Sequence, residues 1–167
     1  MNIDEKPLDC ILFWGGIYSQ WHRAHMTIDG INYTSAEQYM MAQKALCFQD
    51  ADSYNRIMQT QDPSKQKAIG REIPGYSDAE WHKIARLVVY RGNLAKFSQN
   101  DTLFNELLSS GEKVIVEASP YDKIWGIGLG ENDPDAFYRS RWRGTNWLGE
   151  AIMQVRSDLR SMGFAAL

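Results

Sequence analysis

Residues 29–44, which read DGINYTSAEQYMMAQK, decide the fold. The stretch opens on Asp29-Gly30, a pair typical of the two-residue turn that joins antiparallel strands. Apolar residues alternate on either side of this pair, so we expect a small hairpin over residues 25–33. Thr34 and Glu37 then fit a capping box with Thr34 as the N-cap, which predicts that a helix begins here.

The other elements are predicted outward from this stretch by capping patterns, helical periodicity and short apolar runs. Together they predict an α+β fold, mainly α-helical with a small β-sheet, in a single domain over residues 1–167. A long loop rich in glycine and aromatic residues is expected over 119–144. Five helices are expected at 34–48, 50–60, 62–70, 77–97 and 101–109. A last helix is expected to be capped by Thr145 or Asn146 and to have an apolar face formed by Leu148, Ile152, Val155 and Leu159. Two further strands are expected at 10–14 and 113–117.

The composition is that of an ordinary globular protein, with 44% apolar and 23% charged residues. The net charge is −3, and no run of Lys and Arg forms the basic stripe that binding to duplex nucleic acid through many phosphates needs. No apolar stretch approaches the roughly 20 residues of a membrane span, and the N-terminus does not resemble a signal peptide. We therefore expect a cytoplasmic protein that does not enter a membrane; the sequence leaves its oligomeric state unknown.

Metal ligands are not grouped in this sequence. Cys10 and Cys47 do not form a CxxC pair, and His22 and His25 have no third ligand nearby. The sequence therefore predicts neither a metal nor an organic cofactor.

Glu37 and Lys44 are seven residues apart, about two helical turns, so both side chains lie on one face of the first helix. Met40 and Met41 flank that face, and a lysine beside apolar groups loses its proton more easily and can act as a nucleophile. The alternative is structural, because Glu37 also fits the capping box and Lys44 can be a solvated helix residue.

A second candidate lies where the last predicted strand ends, in EASPYDKIWG over residues 117–126. Glu117 and Asp122 form a carboxylate pair suited to acid–base work, and Trp125-Gly126 can stack a base against an approachable backbone. The alternative is a surface turn in which Asp122 caps the backbone and Trp125 closes the core.

A third candidate is the start of the last helix, GTNWLG over residues 144–149. Backbone N–H groups at a helix N-terminus bind anions, and Arg139, Arg141 and Arg143 precede it and could clamp a phosphate. An ordinary cap beside a solvated basic loop explains the pattern equally well.

Seven segments, in order and with similar gaps, resemble the YbiA-like family, which is also called NADAR. They cover about residues 13–159. The segments are DGxxYxxxExY over 29–39, AQKA over 42–45, GR at 70–71 with Trp81, AKFxQN over 95–100, LLxxG over 107–111, ExSxxDxxWG over 117–126 and NxLGxxxMxxR over 146–156.

Two departures from the family pattern concern the site. Ser19-Gln20-Trp21 stands where the family usually has Ser-Asn-Phe, and the longer Gln20 side chain could reshape the pocket. The stretch over residues 127–143 is an insertion relative to compact members, so the resemblance gives its Arg and Tyr residues no role.

The resemblance implies an N-glycosidase, which breaks the bond between a nitrogen and C1 of a phosphorylated ribose. Members act on ribosylamino-pyrimidine intermediates of riboflavin synthesis or remove ADP-ribose from guanine in nucleic acid, so it implies a phosphoribosyl or ADP-ribosyl small molecule, or ADP-ribosylated nucleic acid, as the partner. It implies catalytic roles for Lys44, Glu37, Glu117 and Asp122, and substrate binding by Trp125, Gly126, Asn146, Trp81, Ser19 and Gln20.

This residue set suits the reaction, because bond breaking builds positive charge on the sugar, which a carboxylate stabilises, while an acid protonates the leaving nitrogen. Lys44 either attacks C1 and forms a Schiff base or only orients a carboxylate or phosphate. A non-catalytic module that binds NAD or ADP-ribose is the alternative function; it needs a pocket but not a lysine and a carboxylate together. A purely structural protein would leave the aromatic, Gly-rich loop unexplained.

Overall fold

The computed structural model of the chain describes residues 5–163. These residues form two compact units, here named the terminal unit (residues 5–19 and 106–163) and the central unit (residues 20–105). Each unit holds one two-stranded sheet, so the single small sheet of the sequence prediction is in fact two, but the mainly helical α+β class is confirmed. The strands are β1 (Cys10–Phe13), β2 (Arg23–Ile28), β3 (Ile31–Ser35) and β4 (Val114–Glu117), and the helices are α1 (Ala36–Cys47), α2 (Ala51–Gln59), α3 (Pro63–Arg71), α4 (Asp78–Ser98), α5 (Asp101–Ser109) and α6 (Trp147–Ser161).

The hairpin of the central unit forms as its sequence predicts. Strands β2 and β3 are antiparallel, and Ile28 pairs with Ile31 across the turn. Asp29 and Gly30 have φ angles of 52° and 79°, and two consecutive positive φ values are what the tight hairpin turn requires. Alternate residues of β2 are buried, so one face of the hairpin belongs to the core of this unit.

The N-cap of α1 is Ser35, and the prediction of Thr34 was wrong by one residue. The Ser35 hydroxyl accepts a hydrogen bond from the N–H of Gln38 at 3.0 Å, and the Gln38 side chain accepts one from the N–H of Thr34 at 2.8 Å. Adjacent Thr and Ser residues offer two possible caps, and Gln38 selects the second because it lies three residues after Ser35. Glu37 is therefore not the capping glutamate.

Helix α1 lies at the centre of the central unit and packs against α2, α3 and α4. Two glycines allow this close packing. A Cβ at Gly70 in α3 would collide with the Met41 side chain, and a Cβ at Gly92 in α4 would lie 2.9 Å from the Tyr39 ring. Because helices surround it, α1 buries nine of its twelve residues, charged ones included.

In the terminal unit, β1 and β4 are parallel, with Phe13 opposite Glu117 at the end of the ladder. Helix α6 packs on β4 through the predicted apolar face of Leu148, Ile152, Val155 and Leu159, all of which are buried. A Cβ at Gly149 would collide with the carbonyl of Ile115, so this glycine sets how closely α6 approaches the strand. The predicted loop over 119–144 is irregular except for two 3-10 helices, Pro134–Phe137 and Arg139–Arg141.

Candidate active site

Glu37 and Lys44 both lie on the buried surface of α1, although each carries a charged group. Glu37 is 5% exposed and Lys44 is 9% exposed. Since Ser35 and Gln38 cap the helix, the capping explanation for Glu37 no longer applies, and the low exposure of Lys44 rules out a solvated helix residue. A buried carboxyl group and a buried amine on one face of a helix are groups that can take part in nucleophilic chemistry, and their predicted catalytic roles stay predictions.

Burial lowers the pKa of Lys44 below the ordinary range of a lysine, because the ammonium form loses its hydration. The carboxylates of Glu37 and Asp78 act against this shift by stabilising the charged form, and the guanidinium of Arg71 adds to it. The net pKa shift is downward, which raises the fraction of neutral amine able to attack an electrophile.

Tyr76 covers the Lys44 amine, and this contact was not predicted from the sequence. The Nζ atom of Lys44 lies 4.2 Å from the centroid of the Tyr76 ring. Tyr76 belongs to the segment between α3 and α4, whose sequence, IPGYS over residues 73–77, shows only a turn. Nothing in that spacing indicates which residue the ring would contact.

Gln20, a predicted substrate-binding residue, is held inside the central unit. Its carbonyl accepts a hydrogen bond from the N–H of Glu37 at 3.0 Å, and its side-chain oxygen accepts one from Nδ2 of Asn93 at 2.9 Å. Asn93 and Lys96 are both fully buried on α4, and their burial was not predicted from the sequence. Polar residues on the buried, mainly apolar face of this amphipathic helix are the signal that could have identified them.

Trp81 is 3% exposed in α4, as expected of a core residue, and its predicted contact with substrate stays a prediction. Ser19 is the last residue of the first segment of the terminal unit, and its N–H donates to the carbonyl of Gly16. Its predicted role in substrate binding also remains a prediction.

In the terminal unit, Glu117 is the last residue of β4, and hydrogen bonds of its backbone groups hold it in place. Its N–H donates to Oδ1 of Asn146 at 3.0 Å, and its carbonyl accepts from the N–H of Ile127 at 3.0 Å. The carboxylate oxygen Oε2 of Glu117 is out of contact with solvent. The carboxylate therefore extends from a rigid strand end, which is a favourable support for catalysis.

Asn146 precedes α6, as predicted for a capping residue, but its side chain does not cap that helix. Its amide bridges the backbone of β4, since Oδ1 accepts from Glu117 and Nδ2 donates to the carbonyl of Ile115 at 3.0 Å. The left-handed backbone of Asn146, with φ of 55°, turns the chain so that this bridge can form.

Asp122 adopts the backbone-capping arrangement that was the alternative in the sequence analysis. Its Oδ1 accepts hydrogen bonds from the N–H groups of Ile124 and Trp125 at 2.9 and 2.8 Å. The hydroxyl of Ser119 in turn accepts from the N–H of Asp122. These bonds give Asp122 a structural role at this turn, and its predicted catalytic role stays a prediction.

Gly126 allows the loop to close tightly, because a Cβ there would lie 2.9 Å from the carbonyl oxygens of Glu117 and Asp122. Trp125, half-buried, makes an edge-to-face contact with Trp147 at 5.7 Å between ring centroids. Trp125 is thus ordered by a neighbouring ring, and its predicted stacking on a substrate base stays a prediction.

The predicted anion site at the start of α6 is wrong. The N–H groups of Asn146, Trp147 and Leu148 donate to the backbone carbonyls of Gly126, Ile124 and Trp125 at 3.1–3.2 Å, so these N–H groups are not available to a phosphate. Two of the arginines make ion pairs: Arg141 with Asp135 at 2.7 Å and Arg139 with Glu150 at 3.6 Å.

Within residues 5–163, no group of three or more His, Cys, Asp and Glu side chains is placed to hold a metal ion. In the same range, no helix is both long enough and apolar enough to cross a membrane.

Comparison with known sequences matches the NADAR domain over residues 12–160. N-glycosidase R617 of Acanthamoeba polyphaga mimivirus is 42% identical over 147 residues, which make up 85% of this chain and 86% of that protein. Riboflavin biosynthesis protein VVA0006 of Vibrio vulnificus is 28% identical over 164 residues, which cover 95% of this chain and 40% of that longer protein.

Among solved structures, the NMR structure of the E. coli protein YbiA matches with a TM-score of 0.76. The alignment covers 97% of this chain and 92% of YbiA, and the two sequences are 24% identical, so this likeness bears on the fold. The family match spans nearly the whole chain, and with the mimiviral relative it shows that this protein belongs to the NADAR family.

Proposed function

We propose that this protein is an N-glycosidase that hydrolyses the C1–N bond of a phosphorylated ribosyl compound. The observation that carries the proposal is the buried Lys44, whose pKa is lowered and which shares the buried face of α1 with Glu37. Family membership supports the same reaction, because the mimiviral relative is named an N-glycosidase.

In the proposed reaction, the neutral amine of Lys44 attacks C1 of the ribose. The C1–N bond to the base breaks, and the leaving nitrogen takes up a proton from a general acid. The lysine nitrogen then gives up its two protons: one restores the general acid, and the other passes to the ring oxygen as the ribose ring opens, which leaves an imine between Lys44 and C1. Water then adds to C1, releases the sugar and restores the amine.

Carboxylates have two tasks in this reaction. Glu37, on the same buried face as Lys44, is suited to stabilise the positive charge that develops on the sugar. Glu117 and Asp122 remain candidates for proton transfer, and Asn146 is assigned a positioning role because its amide holds the backbone of β4.

Two substrate classes are consistent with the family: a ribosylamino-pyrimidine phosphate and ADP-ribosylated guanine. The name of the Vibrio relative points to riboflavin metabolism. The net charge of −3 argues against extensive contact with nucleic acid phosphates, although a single modified nucleotide needs few such contacts. We propose the small ribosylamino-pyrimidine phosphate as the first substrate to test, and a cytoplasmic location as the setting for it.

The test incubates purified protein separately with a ribosylaminouracil phosphate and with DNA that carries ADP-ribosylated guanine, and measures the released base by mass spectrometry. Lys44→Arg keeps the positive charge but cannot readily attack, because guanidinium stays protonated. Lys83→Arg is the matched control, since Lys83 is an exposed residue of α4 paired with Glu80.

Release of base by the wild type and Lys83→Arg but not by Lys44→Arg supports the proposal. Folded wild-type protein that binds ADP-ribose but releases no base from either compound would contradict it and support the non-catalytic binding module instead.

A further inference from the structure

Tyr76 lies over the Lys44 amine in the central unit. The distance from Nζ to the ring centroid is 4.2 Å, which is within the range of a cation–π interaction. Tyr76 is 40% exposed whereas Lys44 is 9% exposed, so the ring lies on the solvent side of the amine. The tyrosine therefore separates Lys44 from bulk water.

Two contacts hold the Tyr76 ring in this position. Its hydroxyl donates a hydrogen bond to Oδ1 of Asp78 at 2.6 Å, and its ring packs against Phe48 with 5.4 Å between centroids. Gly75, with φ of +72°, provides the turn that brings the ring back over α1. An exposed tyrosine with this many restraints is ordered rather than free to rotate.

The ring remains neutral at any physiological pH. Burial and the Asp78 carboxylate raise the pKa of Tyr76 to about 12, so the phenol keeps its proton and its ring face stays electron-rich. The other charged groups that act on Lys44 are Glu37 on α1, Asp78 on α4 and Arg71 on α3. Tyr76 thus adds an uncharged, directional contact to a set of fixed charges.

We propose that Tyr76 is the positioning residue of the Lys44 amine: held by Asp78 and Phe48, its ring fixes Nζ in one place and shields it from water. This inference rests on the proposed function, in which Lys44 reacts with C1 of the sugar. A fixed amine starts closer to the geometry of attack, and shielding protects the imine from early contact with solvent.

The first measurement does not depend on glycosidase activity. Substrate-free protein is labelled with acetic anhydride between pH 6 and pH 11, and mass spectrometry of the Lys44 peptide gives the midpoint of its reactivity. Tyr76→Leu and Tyr76→Met keep an apolar cover but remove the ring that stabilises the ammonium, so we expect the midpoint to fall by about 0.5–1 pH unit. Tyr76→Phe keeps the ring and should restore most of the wild-type midpoint.

Tyr121→Leu is the matched control, because Tyr121 is an exposed tyrosine whose ring contacts Trp14, and its loss should leave the Lys44 midpoint unchanged. Unfolding curves identify which of the two ring-removing variants is folded, and that variant decides the outcome. A midpoint equal to that of the wild type overturns the positioning role.

The second measurement is turnover, with borohydride trapping of the Lys44–sugar adduct. The lysine nitrogen becomes positively charged as it attacks C1, and the ring stabilises that charge, so we expect the ring-removing variants to lose about tenfold in turnover although more of their amine is neutral. Tyr76→Phe should recover to within about threefold of the wild type. Turnover within twofold of the wild type in Tyr76→Leu would overturn the inference. If wild-type protein cleaves neither glycoside, the proposed function fails, while the labelling midpoints still decide the role of Tyr76.

Discussion

Helix α1 of the central unit sets its charged residues among apolar and aromatic groups, whereas the loop after β4 in the terminal unit ties its polar side chains to backbone. Lys44 loses hydration through burial and contacts the ring of Tyr76. Asn146 and Asp122 instead each direct side-chain oxygens to backbone N–H groups. The first region places a reactive side chain in an environment that alters its chemistry, whereas the hydrogen bonds of the second fix the backbone.

The contrast shows why the same residue types have different meanings in the two regions. A buried amine without full compensation shifts its pKa and gains reactivity, which costs stability. A buried amide does not titrate, and when its donors and acceptors are matched it holds a strand and a helix together. The comparison therefore predicts that substitutions in α1 reduce activity more than stability, and that substitutions of Asn146 do the reverse.

The largest effect is expected for Lys44→Arg, which should reduce turnover by about 10³-fold or more because the nucleophile is lost. Circular dichroism should show that the variant is folded, so that the loss of turnover reflects the loss of the nucleophile. Sodium borohydride should trap a sugar adduct on the wild-type peptide that contains Lys44 and none on the variant. An active Lys44→Arg protein without a trapped wild-type adduct would make water the nucleophile.

Asn146→Ala should destabilise the protein by about 2–6 kcal/mol. The substitution leaves the N–H of Glu117 and the carbonyl of Ile115 without partners, and each buried unsatisfied group costs about 1–3 kcal/mol. Urea unfolding monitored by circular dichroism measures this loss. If Asn146→Ala instead unfolds like the wild type but binds substrate weakly, the substrate contact predicted from the family would be correct.

Local patterns in the sequence predicted most of the elements. The Asp29-Gly30 pair predicted the hairpin, and the helices expected to start at residues 50, 62 and 77 are α2, α3 and α4, whose N-caps are those three residues. These features depend on neighbours within four residues, which a sequence displays directly. The cap of α1 was misplaced because Thr34 and Ser35 are both suitable, and only the position of Gln38 decides between them.

The site was less accessible to sequence reasoning because its key contacts join residues far apart in the chain. Tyr76 reaches Lys44, and Asn93 reaches Gln20, across 32 and 73 positions, and no local period encodes such contacts. The predicted anion site at the start of α6 was wrong for a related reason. Its motif is suited to anion binding, but carbonyl groups of residues 124–126 already occupy its N–H groups.

A third test asks whether the terminal unit contributes chemistry as well as structure. Glu117→Gln should reduce turnover by about 10²-fold if the carboxylate transfers a proton or stabilises charge. Asp122→Asn makes the same chemical change at a position where an amide oxygen can still accept the bonds from Ile124 and Trp125. Equal losses in both variants would give Asp122 a part in the reaction, and unchanged turnover in both would confine the reactive groups to the central unit.

The smallest expected effect, a change in the free energy of unfolding per pH unit, concerns Lys96, the second buried lysine of the central unit. It is fully buried, and burial lowers its pKa to about 7, whereas burial of Lys44 is opposed by two carboxylates. Burial lowers the pKa of His22, and the nearby charge of Lys96 lowers the pKa of His22 further. Comparison of the two lysines therefore tests whether burial alone controls amine protonation in this unit.

The prediction for Lys96 follows from the protons that each state binds. In the unfolded chain a lysine has a pKa near 10.4, so between about pH 7 and pH 10 the unfolded state holds a proton that the folded state lacks. The free energy of unfolding should then rise with pH, by at most about 1.4 kcal/mol per pH unit from this group. Lys96→Met should remove that rise, while the exposed control Lys83→Met should keep it. Urea unfolding at pH 7, 8, 9 and 10 measures all three proteins, and parallel curves for Lys96→Met and the wild type would show that Lys96 remains charged in the folded state.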